Sequence, residues 1–272
     1  MSKFYITTPL YYVNDEPHIG HAYTTILADV ISRIKKIQKH DVYFLTGTDE
    51  HGQKVQEAAE KRGVSPKNHV DEYVKRFKNT WETLNINYDY FIRTTDQNHK
   101  NKVKEILSNL YKSGDIYFDE YEGLYSVSEE RFITEKEKEE GNFRQVKKIK
   151  EKNYFFKMSK YKSKLIDHIK SNESFILPQS RRNEILGFLN NELNDLCISR
   201  PKTRLSWGIE LPFDKDYVTY VWFDALINYI SAIGYNENKD RFNYYWPADY
   251  HLMGKDILTT HCVYWPTMLM SC

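Results

Sequence analysis

The sequence predicts an α/β fold, a doubly wound parallel sheet interrupted by an inserted, partly β module. Three observations predict it. The chain opens strand, helix, strand at residues 4–8, 21–38 and 42–45, an alternation that argues for parallel pairing with helices packed on the sheet. Both strands run into polar turns, and in such sheets ligands collect beyond the carboxyl ends of the strands. Between Gly114 and Leu211 the texture changes to short β-like pieces and charge runs, and from Tyr217 the α/β alternation returns.

Taken in order, residues 4–8 are apolar and β-prone enough for a buried strand, and a loop through Pro9, Asn14 and Asp15 follows. The next helix, 21–38, carries Ile26, Val30, Ile34 and Ile37 at helical spacing, so these are expected as its core stripe. Strand 42–45 ends in Thr46-Gly47-Thr48-Asp49-Glu50-His51-Gly52, after which 54–62 reads as helix. Helices at 66–85 and 97–113, with a short strand at 90–93 between them, extend the unit. This gives three expected spans: 1–113 as the first half of the nucleotide fold, 114–211 as the insertion, and 212–272 as the second half. The insertion holds β-like pieces at 117–127 and a charge run at 135–140 that suits a solvated face. Its basic residues Lys147, Lys148, Lys150 and Lys152 are open to either a solvent or a partner role. Beyond it, 217–223 is a strand or helix approach, 225–233 a helix, 250–253 a strand and 255–270 one helix.

At 272 residues, 40% hydrophobic and 28% charged, the chain has enough apolar mass for a sizeable core and too little Gly and Pro for a fibrous or disordered protein. The net charge of +1 gives no global field toward nucleic acid, so any such contact needs a local patch. Cys197, Cys262 and Cys272 form no C-x-x-C pair, which argues against a zinc knuckle and a disulfide framework and favours a reducing, cytoplasmic compartment. Met1 leads directly into a strand pattern rather than a signal peptide, and no run approaches the length of a membrane span.

His18-Ile19-Gly20-His21 lies where the first strand turns into the first helix. Two imidazoles there can donate to phosphate oxygens, a glycine lets a nucleotide approach the backbone, and the helix N-terminus favours negative charge. The alternative is a pair of surface histidines beside a turn. Three further motifs accompany it in order: Gly47 to Gly52, Tyr220-Val221-Trp222-Phe223-Asp224-Ala225 and Gly254-Lys255-Asp256-Ile257. With Thr8-Pro9-Leu10-Tyr11-Tyr12-Val13-Asn14 ahead of them, these closely resemble class I methionyl-tRNA synthetases, and the likeness extends to Asn153-Tyr154-Phe155-Phe156, Ser159-Lys160-Tyr161, His261 and Tyr264-Trp265-Pro266.

The resemblance implies a Rossmann-like sheet split by a connective-peptide module, and formation of methionyl-adenylate from L-methionine and ATP with Mg2+, followed by transfer to tRNA(Met). That reaction needs positioning and charge stabilisation rather than a covalent nucleophile. His18 and His21 are the expected catalytic residues, and with Gly20, Gly254, Lys255 and Asp256 they form the expected ATP set. Asp256 suits ribose hydroxyls or a helix cap, and Lys255 suits phosphate or solvent. Asp49 would meet the methionine ammonium. The family likeness adds the Leu10 backbone there, and sets Trp222, Ala225, Tyr229, Ile257 and His261 around the thioether, with Pro9 and Tyr12 nearby. A lone buried Trp or Tyr is more often structural than ligand-contacting, and a buried histidine usually just satisfies its hydrogen bonds, so the pocket rests on the set and on the family likeness.

Lys157-Met158-Ser159-Lys160 spells most of the family's mobile signature loop but precedes the Trp222 and Asp256 motifs, so it reads as a basic helix start. The genuine loop and the anticodon-reading domain would lie beyond Cys272, making this the N-terminal part of a longer protein that binds its ligands with or without full turnover. Gly123-Leu124-Tyr125 is followed by Ser126 and Glu129, which cannot build a thiolate site, so no zinc is expected. An insertion of under roughly a hundred residues is also smaller than a typical independent editing domain, which argues against the leucyl, isoleucyl and valyl relatives. Its implied task is to help place the acceptor end of the tRNA.

Overall fold

A computed structural model describes residues 2–126, 131–133, 138–139, 145–219 and 222–272. Glu129, most of the 135–140 charge run and the Tyr220-Val221 pair lie outside the described residues. The chain begins β1 (Lys3–Tyr12), α1 (Ile19–Ile37), β2 (Asp41–Asp49), α2 (Gln53–Lys61), α3 (Pro66–Thr83), β3 (Tyr90–Arg93) and α4 (Gln97–Lys112). It continues through β4 (Ile116–Ser126), β5 (Arg131–Ile133), β6 (Val146–Phe156), α5 (Lys162–Ser171), α6 (Gln179–Leu189), β7 (Leu196–Cys197), β8 (Ser199–Pro201), β9 (Ile209–Leu211) and β10 (Asp214–Thr219). The last described elements are α7 (Trp222–Ser231), α8 (Lys239–Tyr245), β11 (Tyr250–His251) and α9 (Trp265–Ser271).

These divide into two compact units, one comprising Met1–Lys104, Trp207–Ile209 and Phe223–Ile257, the other Glu105–Ser206, Glu210–Trp222 and Leu258–Cys272. The first holds a parallel sheet in the order β11-β1-β2-β3. Strand order reverses at β1, with β2 and β3 to one side and β11 to the other, which is the switch point of a doubly wound sheet. The α/β class expected from sequence is therefore present. β1 and β2 are buried almost throughout, as strands covered on both faces must be. Around them Phe4, Ile6, Tyr11, Phe44, Val74, Phe77 and Trp81 form one core.

Both strands extend past their expected ends, because the polar residues of the supposed turns are buried in pairing. Tyr12 lies opposite Asp49 and Tyr11 opposite Thr48. The Thr8 and Thr46 hydroxyls bond each other at 2.8 Å. Pro9, which has no N–H to give, falls where the β1–β2 register shifts between Thr7 and Leu10. Gly47 sits against β3 so closely that a Cβ would come 2.0 Å from the Ile92 carbonyl oxygen.

The expected core stripe of α1 is wrong. Ile26, Val30, Ile34 and Ile37 are 40%, 45%, 47% and 81% exposed, while the buried face is Thr25, Ala28, Asp29 and Ser32. Two of the three buried polar side chains of that face are paired: Thr25 Oγ1 bonds the Tyr11 hydroxyl at 2.6 Å, and Asp29 accepts from Arg33 Nε and the Asn87 N–H, while Ser32 Oγ has no partner among the described residues. Small residues let the helix approach the sheet closely, which bulky aliphatics would prevent.

The helix expected over 255–270 is also broken. A 3₁₀ turn at Lys255–Ile257 is followed by a π turn at Thr260–Tyr264, and α9 begins afresh with Pro266 in its first turn, where its missing N–H costs nothing.

In the second unit β4 and β6 pair over their whole length within the antiparallel sheet β5-β4-β6-β7, and β10 lies between β8 and β9. Two basic residues of β6 are met by carboxylates of β4, Lys148 with Glu122 at 2.9 Å and Lys150 with Glu120 at 3.2 Å. Lys160 reaches Asp115 at 2.6 Å from a 3₁₀ turn, and Lys157 lies over the Tyr117 ring. No described helix is long and apolar enough to cross a membrane.

Candidate active site

The His18-Ile19-Gly20-His21 turn is the N-terminus of α1, one residue pair earlier than expected. His18 is the N-cap: its Nδ1 accepts the Gly20 N–H at 3.1 Å, and the His21 Nδ1 accepts the His18 N–H at 3.1 Å. This is a capping box built from two imidazoles. A ring whose Nδ1 accepts a backbone N–H must, when neutral, carry its proton on Nε2, so both rings retain an Nε2–H donor. The rings stack at 3.8 Å, and His21 also packs against Tyr11 at 4.8 Å and Phe77 at 5.3 Å. Burial, reinforced by neighbouring His18, lowers the His21 pKa to about 4, which keeps it a neutral donor near pH 7. Gly20 leaves room for the cap itself, since a Cβ there would stand 3.0 Å from the His18 ring.

Asp49 ends β2, buried, directly across from Tyr12, and its carbonyl accepts the Val13 N–H at 3.3 Å. The next residue, Glu50, is fully buried and clamped. Arg93 donates to both its oxygens at 2.6 and 2.9 Å, Thr48 and Thr95 donate to one each, and its N–H reaches Thr94 Oγ1. Arg93 continues to Asp71 at 2.6 Å. A buried carboxylate with so full a donor set anchors the end of β2 rather than offering itself to a ligand.

Further along, His51 Nδ1 donates to the buried Asp224 carboxylate at 2.7 Å, tying the chain just past Asp49 to the first turn of α7. Trp207 bonds both Gly52 and Gln56, donates to the Glu50 carbonyl, and lays its ring against His51 at 5.6 Å. On α7, Ala225 is half-buried and Tyr229 buried; the Tyr229 carbonyl takes the Tyr5 hydroxyl at 2.8 Å and its ring meets His251 at 4.4 Å. Burial raises the Tyr229 pKa, so its hydroxyl is a neutral group.

In the first unit Pro9, Leu10 and Tyr12 lie in the carboxyl half of β1, Asp49 ends β2, Ala225 and Tyr229 lie on α7, whose first turn is tied to His51, and His18, Gly20 and His21 lie at the start of the helix that leaves β1. Gly254, Lys255 and Asp256 are exposed and follow β11, with half-buried Ile257 after them. Trp222, half-buried, and His261, buried, belong to the second unit. Sequence reasoning missed Glu50, Arg93, His51, Trp207 and Asp224. The signal available for three of them, Glu50, His51 and Asp224, was their place inside motifs already singled out. Among the described residues no group of three His, Cys, Asp or Glu could hold a metal ion.

Comparison with known proteins follows this geometry. A family model described as tRNA synthetases class I (M) matches residues 4–146 and 140–272. The methionine–tRNA ligase of Clostridium perfringens is 53% identical over 274 residues, covering 98% of this chain and 42% of the relative. That of Thermotoga maritima is 51% identical over 277 residues, covering 99% of this chain and 44% of the relative. A crystal structure of Mycobacterium tuberculosis methionyl-tRNA synthetase bound by methionyl-adenylate matches with a TM-score of 0.94 at 44% identity, over 99% of this chain and 55% of that one. The free-state structure of the same enzyme matches with a TM-score of 0.83 at 42% identity, over 100% of this chain and 53% of that one. The chain therefore spans less than half the length of these two curated relatives.

Proposed function

Because the chain belongs to the class I (M) tRNA synthetases, we propose that it carries the site at which L-methionine is activated with ATP and then passed to the 3′ terminal adenosine of tRNA(Met). The observation that carries this reading is the double imidazole cap of α1, which leaves two Nε2–H donors at a positive helix end. In the activation step a methionine carboxylate oxygen attacks the α-phosphorus in line. The new P–O bond forms as the bond to the bridging oxygen breaks, and diphosphate leaves with the electron pair. His18 and His21 donate to phosphate oxygens where charge gathers, so the barrier falls by electrostatic stabilisation and orientation.

Asp49 takes the methionine ammonium, with the Leu10 carbonyl beside it. Its burial strengthens that attraction, and the Glu50 clamp holds it at the strand end. Within the first unit Pro9, Tyr12, Ala225, Tyr229 and Ile257 face the thioether, where polarisable sulfur gains from aromatic contact, and the family likeness assigns Trp222 and His261 to methionine as well. Asp256 holds ribose hydroxyls, with Gly254 giving backbone access and Lys255 facing phosphate. Mg2+ would enter with the ATP as substrate and would supply neutralisation of phosphate charge. The 114–211 span is the connective-peptide insertion and helps place the tRNA acceptor end, and the work is done in the cytoplasm without resident zinc.

Methionine-dependent ATP–pyrophosphate exchange tests the reading in the complete protein. Exchange with methionine, and none with isoleucine or valine, is expected; exchange indifferent to the amino acid would overturn it.

A further inference from the structure

Asp224 is wholly buried in the first turn of α7, and its Oδ1 has no hydrogen-bond partner among the described residues, so the His51 Nδ1–H on Oδ2 is what secures the carboxylate. An acidic group at a helix start is favourable when exposed; burying one calls for a partner in good geometry. This bond joins positions 173 residues apart. One end is two residues past Asp49 and the other one residue before Ala225 and five before Tyr229. His51 is itself fixed, by the Trp207 ring and by the Gly52 N–H on the Trp207 carbonyl at 3.1 Å. At the far end of α7 a second buried imidazole, His99 of α4, bonds Ser231 Oγ at 2.8 Å. The helix is thus held at both ends and by the Tyr5 hydroxyl on the Tyr229 carbonyl, and the His51 bond links its first turn to the segment just past Asp49.

We propose that His51 and Asp224 are a positioning pair that sets where Ala225 and Tyr229 stand relative to Asp49, and so governs methionine binding while leaving the α1 nucleotide turn alone. The inference rests on the assignment of those three residues to methionine. The α1 turn is fixed by its own caps and by packing on Tyr11 and Phe77, with no bond to this pair among the described residues. Loss of the pair therefore separates the two substrates, which general destabilisation would not do.

The test measures KM for methionine and for ATP in pyrophosphate exchange by the complete protein, beside thermal melting. His51→Ala is expected to raise the methionine KM about tenfold or more while the ATP KM stays within about twofold. His51→Asn keeps an N–H near the Nδ1 position and Asp224→Asn keeps an acceptor, so both should retain a methionine KM within about threefold of wild type. His51→Gln, whose amide sits one carbon further out, should behave like alanine and serves if His51→Ala does not melt cooperatively. Equal rises in both KM values, or an unaltered methionine KM in His51→Ala and His51→Gln, would overturn the pair alone. A wild-type protein without methionine-dependent exchange would overturn the functional reading and the pair with it.

Discussion

Two histidines one helical turn apart cap each other's backbone, and burial of the second, reinforced by the first, keeps it neutral. His21, with its pKa lowered to about 4 from 6.5, binds a proton more readily in the unfolded chain than in the folded one. Its contribution to stability is complete above pH 6.5 and is lost as pH falls through 4. Acid unfolding should accordingly be less steep for His21→Gln than for wild type in that window, and an unchanged profile would contradict the buried, neutral ring. Asp49→Ala should abolish methionine binding by calorimetry, since losing a buried charge that meets an ammonium costs about 2–5 kcal/mol; retained affinity would remove the ammonium assignment. The tetrapeptide was legible because its partners lie within four residues. The Glu50–Arg93 clamp and the His51–Asp224 bond were not, because their partners stand 43 and 173 residues away and only the folded sheet brings them together.

At the scale of the element, α1 shows how periodicity can name a helix and mistake its face. Aliphatic residues at helical spacing marked the helix correctly, yet the side chosen by the sheet is the one with small residues and short polar groups, of which Thr25 and Asp29 bond to neighbouring elements. Val30→Ser or Ile34→Ser should therefore change unfolding free energy by no more than about 0.5 kcal/mol. Ala28→Leu should cost about 1–3 kcal/mol through overpacking, a contrast that denaturant titration resolves. Gly47 makes the same point in a strand: Gly47→Ala would drive a methyl into the Ile92 carbonyl, costing about 1–3 kcal/mol or preventing folding. Nothing in the sequence marks that contact, since β2 and β3 are joined by two helices. The broken 255–270 segment was hidden for another reason, its apolar residues fitting one continuous helix while the π turn shifts their faces.

For the whole molecule, ligand binding and stability are one quantity. Methionine at about a hundred times its Kd should raise unfolding free energy by about 2.7 kcal/mol. The Asp49→Ala protein should show no such rise by thermal melting, and an equal rise in both would place the ammonium elsewhere. The alternation of strands and helices made the α/β class readable from the first fifty residues, whereas the partition into two units was not, because each unit is sewn from three separate stretches. One arrangement carries a consequence for synthesis. β1 lies between β2, which leaves the ribosome early, and β11, which pairs Ile6 and Thr7 with Tyr250 and His251. The central strand of the sheet thus waits with an open edge through some 240 residues of translation, and closing it is a high-contact-order event. A nascent chain stalled before Tyr250 exposes that edge to any passing strand, which makes the interval after β2 emerges the one in which chaperone cover matters most.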